Sequence, residues 1–289
     1  MYIGILLAVA TGATWTSFGI LLSFTANEKR DVISFGILFN IIYAVIAFIL
    51  LGKFSISLDQ KFMLLSLAVL IGGVMNGLAQ YVINRSMTSG NNAAVWAIVQ
   101  GFMVLPFITA QVFFGHPSNL AQWLGVCLIL CGILLPHLKK SPAGYRWLIL
   151  AVTAFFLTGL SQSLYSIPSQ LSLTDESPLL WSSLAGLGNV IAWMSVALVT
   201  KHRFSVRAAM PKIAFVMAMM GLLALTLFFI ALDHLSKVNL GNVAIPLMVG
   251  SNVVFFTLYS KFKLREKTSW QTYATIIVLI IGLILLAFK

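Results

Sequence analysis

Apolar runs of about 20 residues follow one another from end to end of the chain, parted only by short polar breaks. About 20 residues is the helix length that crosses a hydrocarbon layer of about 30 Å. With 60% of its residues hydrophobic and 9% charged, and a mean hydropathy of +1.00, a soluble domain could not hide this much apolar surface. The runs predict spans at 2–24, 32–52, 62–84, 91–114, 120–138, 146–169, 178–200, 211–232, 238–260 and 269–288. The breaks carry the turn and charge signals, such as Asn27 to Asp31, Lys53 with Asp59 and Lys61, Pro117-Ser118-Asn119, and Lys139 to Gly144. No basic residue precedes the first run and no cleavage site follows it, so it reads as a span and not a leader. A membrane β-barrel would show alternating segments of about ten residues, which this chain lacks. The expected fold is an all-α integral membrane protein with ten transmembrane helices and no loop long enough to form a domain.

The pattern is doubled. The stretch from Gly90 to Leu135 recurs as Gly241 to Leu285, and one shift carries Asn92, His116 and Gly132 onto Asn242, Glu266 and Gly282. Residues 1–140 and 141–289 then form two five-helix repeats. Because five is odd, the second enters the bilayer from the opposite side, so the repeats are inverted, an arrangement recurrent in secondary carriers with a midplane substrate site.

Charge bears on orientation. Of the 18 Lys and Arg residues, all but Lys53, Lys61, Lys237 and Lys289 fall in odd-numbered loops, which places those loops in the cytoplasm and both termini outside. The net charge of +11 is therefore an insertion signal; spread over five loops, it does not describe a nucleic-acid surface.

The polar residues inside the spans say what a cavity could hold. All seven acidic residues fall at span ends or in loops. An intramembrane carboxylate is the usual proton relay and cation partner, so its absence argues against proton-coupled export of cations. Neutral polar residues instead form stripes: Asn76, Gln80 and Asn84, with Tyr81 beside them and Arg85 at the end; and Asn92, Trp96 and Gln100. The first span offers Thr11, Thr14, Trp15 and Phe18, the sixth, its counterpart in the repeat, offers Thr158, Gln162, Tyr165 and Ser166, and the ninth adds Asn242, Ser251 and Asn252. The expected substrate-binding set is Asn76, Gln80, Asn84, Trp96, Gln100, Trp15, Thr11, Gln162, Tyr165, Asn242, Asn252 and Arg85. Amides, hydroxyls and aromatic faces fit a neutral or zwitterionic cargo. The competing reading is interhelical hydrogen bonding for the amides and snorkelling to the interface for Arg85.

Other features read structurally. Cys127 and Cys131 lie four apart in one span and are expected to be buried small hydrophobes. His116, His137, His202 and His234 are scattered near span ends, expected as solvated loop residues, with no metal or other cofactor. Pro106, Pro168 and Pro246 mark bends or hinges within spans. No nucleophile, metal cluster or acid–base pair at workable spacing points to an enzyme. A channel and a lipid flippase are the alternatives from another class.

The second-half turn Arg265-Glu266-Lys267-Thr268-Ser269, followed by Gln271 and Gly282, has its first-half counterpart in His116 and Pro117 followed by Gln122, Gly125 and Gly132. On these residues, over nearly the whole chain, the sequence resembles the EamA-like branch of the drug/metabolite transporter superfamily. The first half departs from the acidic-basic turn. The resemblance implies ten helices around a central cavity and alternating access. It implies cargoes among amino acids, sugars, nucleotide precursors, drugs or polyamines, and both termini in the cytoplasm, against the charge count. The resulting expectation is a carrier of a small metabolite, an amino acid or similar, in a prokaryotic inner membrane. Monosaccharide uptake is the alternative that the superfamily resemblance supplies. Its partners would be a small-molecule substrate and the lipid bilayer, with a monomer as the expected state.

Overall fold

Over the residues it describes, 1–27, 31–52, 59–89, 92–134, 146–171, 177–205, 210–262 and 270–287, the computed structural model has helix in each predicted apolar run. In chain order the helices are α1 (Tyr2–Asn27), α2 (Val32–Leu51), α3 (Gln60–Ser89), α4 (Asn92–Gln100), α5 (Val104–Phe114), α6 (Leu120–Leu134), α7 (Arg146–Gln170), α8 (Pro178–Val199), α9 (Met210–Ser236), α10 (Gly241–Phe262) and α11 (Trp270–Ala287). The described residues include no strand. The fourth run is not one continuous α-helix: a tighter 3₁₀ turn at Gly101–Met103 joins α4 to α5, with Pro106 in the first turn of α5. Pro168 and Pro246 sit inside α7 and α10. Helix α9 runs past its predicted end at 232 and takes Asp233 into its last turns.

Local chemistry sets several ends. The Asp31 carboxylate accepts the Ser34 amide at 3.0 Å and caps α2. Ser177 caps α8 ahead of Pro178, whose missing N–H costs nothing at the first helical position. Gly115 ends α5 at φ 66°, the left-handed conformation in which a side chain is strained.

Six helices, α1, α2, α3, α7, α8 and α9, are long and apolar enough to cross a bilayer, and shorter apolar helices cover Ile98–Phe114, Leu120–Gly132, Gly241–Phe256 and Ile277–Ala287. Large apolar side chains such as Val45, Ile49, Leu67, Phe113, Ile149, Leu198 and Val216 are exposed on the outside of the bundle. Surface of this kind, far larger than soluble proteins leave uncovered, belongs against lipid. The protein is an all-helical membrane protein.

The packing pairs have a regular form. Helix α3 packs on α7 and α8, while α9 packs on α1 and α2; α1 packs on α10, while α7 packs on α4 and α5; α6 packs on α11, and α2 on α8. Glycines allow the closest of these approaches, as membrane helices without a hydrophobic drive between them require. A Cβ on Gly36 of α2 would stand 2.5 Å from the Trp193 ring of α8. The same shift that relates Asn92 to Asn242 carries this pair onto Gly186 and Tyr43, which are packed against each other in the same way. Gly125 of α6 and Gly282 of α11 likewise meet backbone to backbone, each Cβ position lying about 3 Å from the other's carbonyl oxygen.

Two expectations are corrected. Cys127 and Cys131 are exposed thiols, because their face of α6 points away from the α11 contact made by Gly125 and Gly132. His116 is buried, not solvated, since the turn after α5 folds back onto the bundle; His202 is half-buried, and His234 exposed as expected. Glu28 to Arg30, Lys53, Lys139 to Gly144, His137, Asp175, Glu176 and the Arg265 to Ser269 turn lie outside the described residues, as do the side chains of Asn92 and Gln271.

Candidate ligand cavity

Where α1, α3, α4 and α7 converge, joined by α2, α8, α9 and α10, they enclose a cavity of about 130 Å³. Of the residues expected to bind, Trp15, Asn76, Gln80, Trp96, Gln100, Gln162, Tyr165 and Asn252 all line it. The four-residue spacing that puts Asn76 and Gln80 on one face of α3, and Trp96 and Gln100 on one face of α4, aims both stripes at the same space. Residues 150 apart in the sequence, the offset that relates Asn92 to Asn242, line it together: Trp15 with Tyr165, Phe39 with Asn189, and Phe102 with Asn252.

Small residues make room for the aromatic walls. A Cβ on Gly19 of α1 would lie 2.8 Å from the Trp96 indole, and one on Gly72 of α3 would lie 2.9 Å from the Tyr165 ring. Trp15 stacks on Phe228 with centroids 5.7 Å apart, and Tyr165 meets Phe228 and Phe229 edge to face at 6.4 and 6.1 Å. These contacts hold the rings without using their polar atoms.

The polar lining divides into engaged and free groups. Asn76 Nδ2 donates to Asn189 Oδ1 at 3.0 Å, tying α3 to α8, and Asn189 Nδ2 donates to the Ala185 carbonyl at 3.0 Å. Asn40 Nδ2 donates to the Gly36 carbonyl at 2.8 Å, Tyr43 Oη to the Ser182 carbonyl at 3.1 Å, and the Thr16 hydroxyl to Asn252 Oδ1 at 3.1 Å. By contrast, among the described residues Trp96 Nε1, Gln100 Oε1, Thr158 Oγ1 and Gln162 Oε1 are buried with no hydrogen-bond partner. Such groups cost roughly 1–3 kcal/mol each when unmatched. Among the described residues no charged side chain lines it.

The remaining expected residues stand elsewhere. Thr11 is buried and donates back to the Leu7 carbonyl at 2.8 Å. Asn242 Nδ2 donates to Ser118 Oγ at 2.6 Å and lies 3.4 Å from Gln122 Oε1, fastening α10 to the turn before α6 and to α6. Asn84 is buried one turn beyond Gln80, outside the lining. Arg85 is exposed, its Nε donating to Tyr81 Oη at 3.0 Å with the guanidinium 5.2 Å from the ring centre. All four stand outside the cavity because the drift of a 3.6-residue helix, or its depth in the bundle, turns them to other neighbours.

Asn40, Tyr43 and Asn189 were not among the expected residues and do line the cavity. Each amide is the single Asn or Gln of its helix, α2 or α8, so neither forms a stripe. Their signal was of another kind: an isolated amide in the middle of an apolar span, costly unless it faces the bundle interior.

Charged groups cluster at the bundle ends. Among the described residues an ion pair links the start of α2 to the segment after α8, His202 Nε2 to Asp31 at 3.0 Å, with Ser34 Oγ 3.2 Å from the same imidazole nitrogen. Burial acts to raise the Asp31 carboxyl, but hydrogen bonds from Ser34 and His202 outweigh it and hold the group below its ordinary value. Burial pushes the His116 imidazole down. Among the described residues no three His, Cys, Asp or Glu side chains are grouped to hold a metal.

Fold and cavity together define a helical membrane protein with a central chamber lined by aromatic rings and neutral amides, with no charged side chain among the described residues. No family model matches the chain, and no curated protein matches it. Solved structures do: one described only as the crystal structure of a protein superposes with a TM-score of 0.69 over 98% of this chain and 97% of its own, at 9% sequence identity. At that identity the likeness is one of fold.

Proposed function

We propose that the protein is a carrier of a small neutral or zwitterionic metabolite, working by alternating access in a prokaryotic inner membrane. The observation that carries this reading is the uncharged cavity lined by equivalent positions of both halves of the chain. In this reading α4 and α5 act as one span, giving ten spans in two repeats of five, 1–140 and 141–289. The packing supports it: exchanging the first to fifth spans of one half for those of the other turns the α3 contacts with α7 and α8 into the α9 contacts with α1 and α2, and leaves α2 on α8 and α6 on α11. A two-fold relation between repeats of five spans means inversion in the bilayer, and rocking one repeat against the other would open the midplane site to each side in turn. The resemblance to EamA-like transporters points the same way. With no carboxylate in the lining, the cycle needs no proton relay there.

The test is a thermal-shift screen of the purified chain against neutral sugars, amino acids and nucleosides, followed by counterflow of each hit in proteoliposomes. A bound cargo raises apparent stability by mass action. Gln80→Ala or Trp96→Ala should remove that shift in protein that remains folded. A response confined to cations or anions, or uptake that never shows saturable counterflow, would refute the reading.

A further inference from the structure

Three pairs of residues 150 apart mark the middle of the cavity, Trp15 with Tyr165, Phe39 with Asn189 and Phe102 with Asn252, and much of the other lining lies to one side of them. Trp96, Val99 and Gln100 precede Phe102, and Thr158 and Gln162 precede Tyr165. Both stretches start from the same end of the bundle, where the Ser86 hydroxyl of α3 donates to the Trp147 carbonyl of α7 at 2.7 Å. The half of α3 nearer that end adds Asn76, Ala79, Gln80 and Ile83. The cavity is therefore off-centre.

The opposite end is packed. A Cβ on Gly4 of α1 would stand 2.8 Å from Leu235 and 3.2 Å from His234 of α9, and one on Gly241 of α10 would stand 2.6 Å from both Gln170 Oε1 and Ser236 Oγ. The offset of 150 carries Ala79, Ile83 and Val99 to Phe229, Asp233 and Val249, none of which lines the cavity. Phe229 and Val249 are fully buried. Asp233 is half-buried on α9, with the buried Ser169 of α7 beside it. The same offset takes Ser169 back to Gly19, which abuts the Trp96 wall of the cavity. Asp233 thus faces the bundle interior, where a carboxylate is costly to keep without a use.

On the carrier reading above, the state open at the opposite end has the two repeats exchange arrangements, so that residues 150 away from the present lining become the lining. Of all the positions brought in this way, Asp233 alone carries a charge. His234 and Lys237, its charged and titratable neighbours on α9, correspond to Asn84 and Met87, which stay out of the present lining. We infer that in the opposite state Asp233 enters the cavity wall and forms a site for the ammonium group of a zwitterionic ligand. A carboxylate that faces water is ionised at neutral pH, and in a chamber without a cation of its own it attracts a positive group. The site selects the zwitterion over the neutral cargo, and it exists on one side of the membrane only.

The experiment uses the full-length chain in nanodiscs, with Cys127→Ser and Cys131→Ser removing its two thiols and Val249→Cys placing one where the structure is 0% exposed. The probes are two small methanethiosulfonates, the ethyltrimethylammonium cation and the ethylsulfonate anion. The Val249→Cys thiol should react with both. Asp233→Asn, which keeps the shape and removes the charge, should lower the cation-to-anion ratio of rates at least about fivefold. Val99→Cys, in the present lining, should react with a ratio that Asp233→Asn leaves unchanged. Thr226→Cys, 150 beyond Asn76, repeats the measurement should Val249→Cys not fold. A ratio that Asp233→Asn leaves unaltered at Val249→Cys, or lowers equally at Val99→Cys, overturns the inference while the carrier reading stands. No reaction at Val249→Cys or Thr226→Cys in folded protein, with Val99→Cys reacting, removes the carrier reading and the inference with it.

Discussion

Replacing Gly36 by alanine tests whether the close α2–α8 contact positions these two helices. The new methyl carbon would stand 2.5 Å from Trp193 Cδ2 and 2.6 Å from Cε2 and Cε3, where carbon atoms rest at about 3.5–4.0 Å. The indole, or the helix behind it, must retreat by about 1 Å. Trp193 is 1% exposed and wedged among Ile33, Ile37 and Val196, with Tyr81 edge-on at 6.1 Å, so no empty space receives it. Overpacking of this kind costs about 1–3 kcal/mol. Heat unfolding in detergent, followed by tryptophan fluorescence, should show Gly36→Ala well below the unaltered protein. Gly186→Ala, which drives a methyl into Tyr43 at the related position, should fall in the same direction. Gly101→Ala is the control, since its Cβ would meet only Phe155 at 3.3 Å and other atoms beyond 3.5 Å. Should Gly36→Ala unfold at the unaltered temperature, or Gly101→Ala fall as far, the close α2–α8 contact is not what positions the helices.

The lipid-facing surface can be tested at Val45, 51% exposed near the middle of α2: Val45→Arg should cost about 2.5–3.5 kcal/mol of insertion, read as loss of protein from the membrane fraction, and a normal yield would argue against lipid contact there. Asn76→Ala removes the tie to Asn189 between α3 and α8 and should lower stability by about 0.6–1.7 kcal/mol, the range for polar pairs between membrane helices; no loss would return Asn76 to the cavity as a free group. His116 gives a pH signature. Burial holds its folded-state imidazole below the ordinary 6.5, so the unfolded chain takes a proton first. Its effect on stability is absent above that range and becomes a loss as pH falls from the unfolded value toward the folded one. His116→Asn should flatten this part of the unfolding-temperature profile between pH 8 and 5; a profile identical to that of the unaltered protein would mean that His116 is solvated.

The stripes show how far sequence reaches into the site. Asn76 with Gln80, and Trp96 with Gln100, were legible because helical periodicity fixes which residues share a face, and an amide facing lipid is too costly to keep. Extending a stripe by one more turn overreached at Asn84, since a face defined by every fourth residue drifts around the helix axis. Asn40 and Asn189 carried no periodic partner and were passed over, although an isolated amide in an apolar span is itself a signal. Asn242 and Thr11 looked like their cavity-lining neighbours in composition; only their hydrogen bonds to Ser118 and Leu7 set them apart.

The apolar runs by themselves determined that this chain forms helices fit to lie in a membrane, because no other spanning structure satisfies its backbone without alternating residues. The recurrence of Asn92, His116 and Gly132 as Asn242, Glu266 and Gly282 is a fixed offset in the sequence, and it is what predicts a doubled chain. Which helices touch, which amides turn inward and which polar atoms are left without partners depended on packing between distant segments. Gly36 against Trp193, Gly19 against Trp96 and Gly72 against Tyr165 set those distances across the bundle. Contacts of that range have no local signature, and only the tertiary structure decided them.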